Sequence, residues 1–247
     1  MTSNYERLLT NFDTLGLKHM KERFPHYMEQ VYHQDLSLTE AFLALTDQEV
    51  DFKQTLVFEQ NIKRARFPQR KTFDMFDFSF QSTLNKQELL DLKNLQFMSD
   101  HQNIVFLGSP GVGKSHLAIA LGVEACLQHK RTLFIHCHEL LLRLNGAHQK
   151  GTLERVLKRY ARYELLIIDE IGYLPIEGHD ASLLFQLLNR RYEHHSTIVT
   201  SNLALSGWGD LFKSPETAAA ILDRLIHHSK IFKMTGKSYR LKHALEN

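Results

Sequence analysis

Residues Gly108, Ser109, Pro110, Gly111, Val112, Gly113, Lys114 and Ser115 satisfy G-x-x-x-x-G-K-[ST] at every fixed position. Few short segments limit a fold so strongly. The backbone must turn tightly and aim its amides at phosphate oxygens, which requires glycine. A helix must start at the end of the loop, so that its positive dipole end meets the same anion. The flanks agree with this. Residues 104–107 (IVFL) read as a buried strand, and Ser115 to about Gln128 as a helix. The loop, with His116 beside it, is therefore expected to hold a nucleotide. Lys114 would reach the β- and γ-phosphates, and the Ser115 hydroxyl would hold Mg²⁺. The alternative is a chance glycine-rich turn.

Such a loop needs a sheet behind it. The runs TLFIH (132–136), LLII (165–168) and TIVT (197–200) are short, rich in Ile, Val, Leu and Phe, and separated by helical segments. Buried strands alternating with helices predict an α/β fold with a parallel sheet covered on both faces. Ligands sit at the carboxyl ends of such strands. LLII runs directly into Asp169 and Glu170. Asp169 is expected near the Mg²⁺, bound through water, and Glu170 is placed to polarise an attacking water. A solvated acidic turn is the bland reading, and it is weak for two acids following a phosphate loop. The second acid points to hydrolysis rather than transfer to a small metabolite. Asn202, ending the next strand, could orient the water or contact the γ-phosphate.

Before Pro68 the texture is different. Residues 3–15 and 17–33 read as short amphipathic helices. Ser37 and Glu40 have capping-box spacing and should open a helix running from Leu38 to about Arg66, stopped by Phe67-Pro68. This gives a helical domain over 1–70 and a nucleotide-binding domain over 71–247. Residues 230–242 suggest a terminal hairpin turning at Thr235-Gly236. Cys126 and Cys137 are too few for a disulfide framework and suit a reducing cytosol. No secretory signal and no long apolar run is visible, so a cytoplasmic chain without a membrane span is expected. His136, Cys137 and His138 offer three ligand types in a row. Strand alternation would split them, and no second cluster completes a metal site. Arg190 and Arg191 read as a solvated helix end, with an intersubunit surface as the alternative.

Three segments, GSPGVGKSHLAIALG (108–122), LLIIDEIGYLP (165–175) and IVTSNLALSGW (198–208), together resemble the IstB-type AAA+ ATPases of insertion sequences. These are relatives of the DnaC helicase loader and the DnaA initiator. The likeness spans most of residues 70–247 and extends to FDMFDFSF (73–80) and the helical front part. It implies a P-loop AAA+ domain that binds ATP and Mg²⁺, forms a homo-oligomer with ATP sites between subunits, binds double-stranded DNA, and cooperates with a transposase. It implies that Arg224, in LDRL, acts as a finger reaching a neighbouring subunit's γ-phosphate. It places Arg240, in SYR, where a second sensing arginine falls, with a plain surface arginine as the alternative. Like the IstB and DnaC group that it resembles, the chain is expected to lack the full helical lid of the wider AAA+ class.

The formal net charge is only +2, from 30 Lys+Arg and 28 Asp+Glu. That total excludes a uniformly basic chain but hides segregation. Residues 61–71 carry five basic residues and no acid, and residues 143–162 carry six with one acid. Residues 224–242 carry six with none. Lys63, Arg64 and Arg66 in the first stretch, and Lys150, Arg155, Lys158, Arg159 and Arg162 in the second, are the candidates for backbone contact with DNA. In the second stretch, spacings of three and four put the arginines and Lys158 on one helical face. The resemblance places that stretch where this clade carries a helix facing the central channel. Nothing predicts direct base readout. A helicase loader, an ATP-gated scaffold and a small-molecule kinase remain as alternatives.

Overall fold

The computed structural model describes residues 3–33, 35–81, 84–236 and 238–239. The chain divides into two compact units, residues 1–60 and 61–247.

The first unit is helical. It holds α1 (Asn4–Thr14), α2 (Lys18–Tyr32) and most of α3 (Leu38–Ala65). Capping boxes start both α1 and α3. At α3, the Ser37 amide donates to Glu40 Oε2 at 2.9 Å, and the Glu40 amide donates to Ser37 Oγ at 3.3 Å. Each bond satisfies an amide that the first helical turn leaves without a partner. Helix α2 has no side-chain cap of its own. Glu49, buried on α3, accepts the Met20 amide at 2.8 Å and supplies one from a distance. Phe12, Met20, Phe24 and Leu45 form the small core. Helix α3 stops at Ala65, ahead of Phe67-Pro68, where Arg66 takes a left-handed φ of 60°.

The second unit is a five-stranded sheet in the order β2-β3-β4-β1-β5. Its strands are β1 (Asn103–Gly108), β2 (Thr132–His136), β3 (Leu165–Ile171), β4 (Ser196–Ser201) and β5 (Ser229–Met234), and every pairing is parallel. Consecutive residues Ile104, Val105 and Phe106 are all buried. Neighbours on a strand face opposite sides, so both faces of the sheet are covered. The helices of this unit are α4 (Lys86–Asp91), α5 (Gln96–Ser99), α6 (Lys114–Leu127), α7 (Cys137–Gln149), α8 (Leu153–Ala161), α9 (Gly178–Arg191), α10 (Trp208–Leu211) and α11 (Pro215–Ile226). Leu183, Leu184, Leu187 and Leu188 of α9 and Trp208 of α10 lie in the main core. Cys126 and Cys137 are free and buried, and burial pushes their thiols up to about 11 and about 12. Among the described residues no helix is long and apolar enough to cross a membrane.

Two expectations are corrected. The tail is not a hairpin in its described part. Residues 229–234 join the sheet as a parallel edge strand against β1, and Ser238 and Tyr239 are in no strand. The local turn signal was real, since Gly236 is left-handed, but a more distant partner won the strand. Arg191 is also no solvated helix end. It is 1% exposed. It donates to the carbonyls of Tyr160 (3.0 Å), Tyr163 (2.7 Å) and Ser196 (2.5 Å), and to the Thr197 hydroxyl (3.0 Å). Burial lowers its pKa to about 9, which leaves it cationic at neutral pH. One guanidinium thus ties the end of α8 to the start of β4. Arg191→Leu should cost about 3–5 kcal/mol, because it orphans several buried acceptors at once. Urea unfolding would measure this, and a loss below about 1 kcal/mol would mean that those carbonyls find other partners.

Candidate active site

The phosphate loop leaves the end of β1 and feeds α6. Gly113 sits at φ 102°, and a Cβ there would come 2.5 Å from the Phe76 ring. Gly108, at φ 153°, would drive a Cβ to 2.0 Å from the Met234 carbonyl oxygen. Sequence and packing therefore demand glycine at both positions, for conformation and for close approach. The Lys114 ammonium donates to the carbonyls of Gly108 (2.7 Å) and Ser109 (2.8 Å). It is held against the loop that it belongs to, within reach of any phosphate bound there.

Three strands bring the acids to this loop. Asp169, at the end of β3, is 2% exposed. Its Oδ1 accepts the Ser115 hydroxyl at 2.7 Å and the Thr200 hydroxyl at 2.6 Å. Thr200, on β4, also accepts the Glu170 amide at 2.9 Å. One threonine therefore fixes both acids. Glu170 takes a left-handed φ of 62°, where the β3–β4 register shifts between Ile168 and Ile171. A bulge re-aims the side chain that follows it, and non-glycine residues in this conformation collect at functional sites. Asn202 is exposed just beyond β4 and lines the same cleft. Ser115 and Asp169 together offer hard oxygen donors of the kind Mg²⁺ takes.

Thr200 was not singled out from the sequence, and His136 was noted only as one of three consecutive ligand types, not as a neighbour of the acids. His136 ends β2 directly opposite Asp169. Its Nδ1 lies 3.5 Å from Asp169 Oδ2 and 3.6 Å from Glu170 Oε2. The visible signal was a polar residue closing an apolar run. The expected alternation of His136, Cys137 and His138 does not occur, because α7 starts at Cys137.

The cleft, about 900 Å³, has a second wall that spacing did not reveal. Residues 68–81 supply it, with Phe76 packed edge-on against His116 at 5.2 Å. The His116 ring donates to the Thr72 carbonyl at 2.8 Å, pinning this segment onto α6. Burial, and then nearby Lys71, lower the His116 pKa. The wall continues through Phe80 and Gln81. Tyr239, whose ring meets Phe80 edge-on, donates its amide to the Gly111 carbonyl at 3.0 Å.

Arg224 does not line this cleft. On α11 its Nε donates to Asn189 Oδ1 at 3.2 Å, and its guanidinium lies 4.9 Å over the Tyr192 ring. Arg240 lies outside the described residues. Lys63, Arg64, Arg66 and Lys150 are exposed. Arg155, Lys158, Arg159 and Arg162 are also exposed and, with Arg131, line a separate open cavity of about 810 Å³. The single acid of that stretch, Glu154, is taken by Arg190 through two bonds of 2.9 and 2.6 Å. Those bonds, and then Lys158, lower its pKa.

A family model described as IstB-like ATP binding protein matches residues 10–247. The chain is 44% identical over 242 residues to a Bacillus thuringiensis protein named as the ATP-binding protein of insertion sequence IS232, covering 98% of this chain and 97% of that one. It is 40% identical to the corresponding protein of insertion sequence IS5376 from Geobacillus stearothermophilus, covering 96% and 94%. Among solved structures, a DnaC helicase loader matches at TM-score 0.53 and 21% identity, over 60% of this chain and 87% of that one. AMPPCP-bound DnaA from Aquifex aeolicus matches at TM-score 0.57 and 20% identity, over 73% and 54%. At such identities the structural likenesses speak for the fold.

Proposed function

The chain belongs to the IstB-like family of ATP-binding proteins, and on that premise we propose that it is an ATP-hydrolysing helper of DNA transposition. It would assemble on duplex DNA in the bacterial cytoplasm and work with the transposase of its insertion sequence. The observation that carries hydrolysis is the junction at Asp169, where one carboxylate oxygen accepts from the phosphate-loop serine and from β4. The backbone amides of the loop's non-proline residues within 108–115 and the Lys114 ammonium hold the phosphates. Ser115 and Asp169 hold Mg²⁺, which when bound neutralises charge on the phosphate oxygens. Glu170 takes a proton from the attacking water, and Asn202 orients that water.

Arg224 serves the neighbouring subunit's nucleotide, and Arg240 is assigned to sensing it. A ligand held between subunits stabilises the assembled state by mass action, so ATP promotes the oligomer and its hydrolysis dissolves it. Residues 1–70 serve assembly or partner contact. Helix α3 supports this reading with exposed Phe42, Leu43, Val50, Leu56 and Val57. The exposed basic residues of 61–71 and of 150–162 track the DNA backbone.

The test is ATP turnover and DNA binding by the purified protein across a salt series. Neutralising Lys158 and Arg159 to Gln should weaken duplex binding and reduce the slope of log K against log salt by about 2. An unchanged slope removes α8 from the footprint. Preference for single strands would favour a helicase loader. Assembly without turnover would favour an ATP-gated scaffold.

A further inference from the structure

Gln81 is 2% exposed, and neither its Oε1 nor its Nε2 has a hydrogen-bond partner. Among the described residues no other carboxamide leaves both of its atoms buried and unpaired. A group in that condition is costly and calls for a cause. Its position supplies one. Gln81 lines the nucleotide cleft together with Phe80 and the phosphate loop's Gly111 and Val112. Phe80 and Tyr239 meet edge-on at 5.2 Å in the same wall. Gly236, at φ 142°, lies just beyond β5 and close to the amide. A Cβ there would sit 3.7 Å from Oε1 and 3.8 Å from Nε2. The groups that cover the two carboxamide atoms therefore exclude water without offering either a hydrogen bond.

A carboxamide presents one acceptor and one donor side by side. Adenine presents the matching pair, an exocyclic amine that donates and a ring nitrogen that accepts. Guanine's O6/N7 edge is two acceptors and leaves Oε1 unmatched. Its other edge adds a second donor, the 2-amino group, that a single carboxamide cannot satisfy.

We propose that Gln81 reads the base of the bound nucleotide, with Oε1 accepting from the adenine amine and Nε2 donating to the adjacent ring nitrogen. This makes the site select ATP over GTP. The inference rests on the reading that the cleft takes a nucleoside triphosphate. On that reading the phosphate loop fixes the triphosphate, and Gln81 and the aromatic wall are left to the base.

Displacement of a fluorescent ATP derivative from the full chain tests it, using ATP, GTP and N6,N6-dimethyl-ATP, which lacks the amine protons. Wild type should prefer ATP to both by about tenfold or more. Gln81→Leu should weaken ATP by about tenfold and change dimethyl-ATP by less than about twofold, so the preference collapses. Gln81→Glu should shift the ratio toward GTP, whose N1–H and amino group both donate to a carboxylate. Without nucleotide, Gln81→Leu should also melt above wild type, because it removes an unpaired buried amide. A Leu variant that keeps the wild-type ratio, or melts below wild type, overturns the proposal, since either marks Gln81 as structural. If wild type shows no ATP binding, or Lys114→Ala binds ATP as well as wild type does, the nucleotide reading itself fails. ATP binding that depends on Lys114, with ratios indifferent to Gln81, sinks only the base assignment.

Discussion

Glu170→Gln protein should bind ATP and duplex DNA like wild type yet release phosphate at least about 100-fold more slowly. The carboxamide keeps the shape of the carboxylate but cannot take a proton from water. Binding should survive because Glu170 is placed by its backbone. Its amide is held by Thr200 at 2.9 Å, and its left-handed conformation follows from the irregular β3–β4 register. Neither depends on the side-chain charge. If hydrolysis times the assembly, ATP-bound oligomers should then accumulate on DNA. Phosphate release and sedimentation on a duplex would read the two effects separately. Unchanged assembly and dissociation would remove hydrolysis as the timer, and unchanged turnover would remove Glu170 as the base.

The site shows which parts of this architecture are written locally. The phosphate loop, its strand and its helix lie within some 25 consecutive residues, so spacing and apolar runs expose them. Asp169 and Glu170 are legible for the same reason, as acids closing a buried strand. What holds them is not. Thr200 meets Asp169 only because β4 inserts between β1 and β3, and His136 does so only through the β2–β3 register. The front wall depends on Phe76 filling the space that Gly113 leaves, a contact between residues far apart in the chain. Arg191 shares its dipeptide with a half-buried arginine, and nothing adjacent marks it as fully buried. Its partners are carbonyls of two other elements, which only the packed fold assembles. The tail fails in the opposite sense. Thr235-Gly236 is a true turn signal, yet local turn chemistry does not choose the partner strand, and β1 takes β5 in parallel.

Arg224→Ala should reduce hydrolysis by about a thousandfold or more while leaving ATP binding close to wild type. Its geometry separates it from its own cleft. Asn189 and the Tyr192 ring hold the guanidinium on α11, and a group held there can serve a nucleotide only across a subunit boundary. That makes the deficit complementable. Lys114→Ala protein retains Arg224 but loses the phosphate ammonium, so each variant alone has no complete site. In a head-to-tail assembly mixed at random in equal parts, about a quarter of the interfaces join an intact Lys114 to a neighbour's intact Arg224. Mixed samples should therefore recover up to about a quarter of the wild-type rate, and recovery should vanish when either variant is in large excess. Steady-state phosphate release across mixing ratios measures this. A flat line at every ratio, from proteins shown to co-assemble, would mean that Arg224 does not act in trans. Loss of ATP binding in Arg224→Ala would instead place its effect on the fold of α11 rather than on the reacting phosphate.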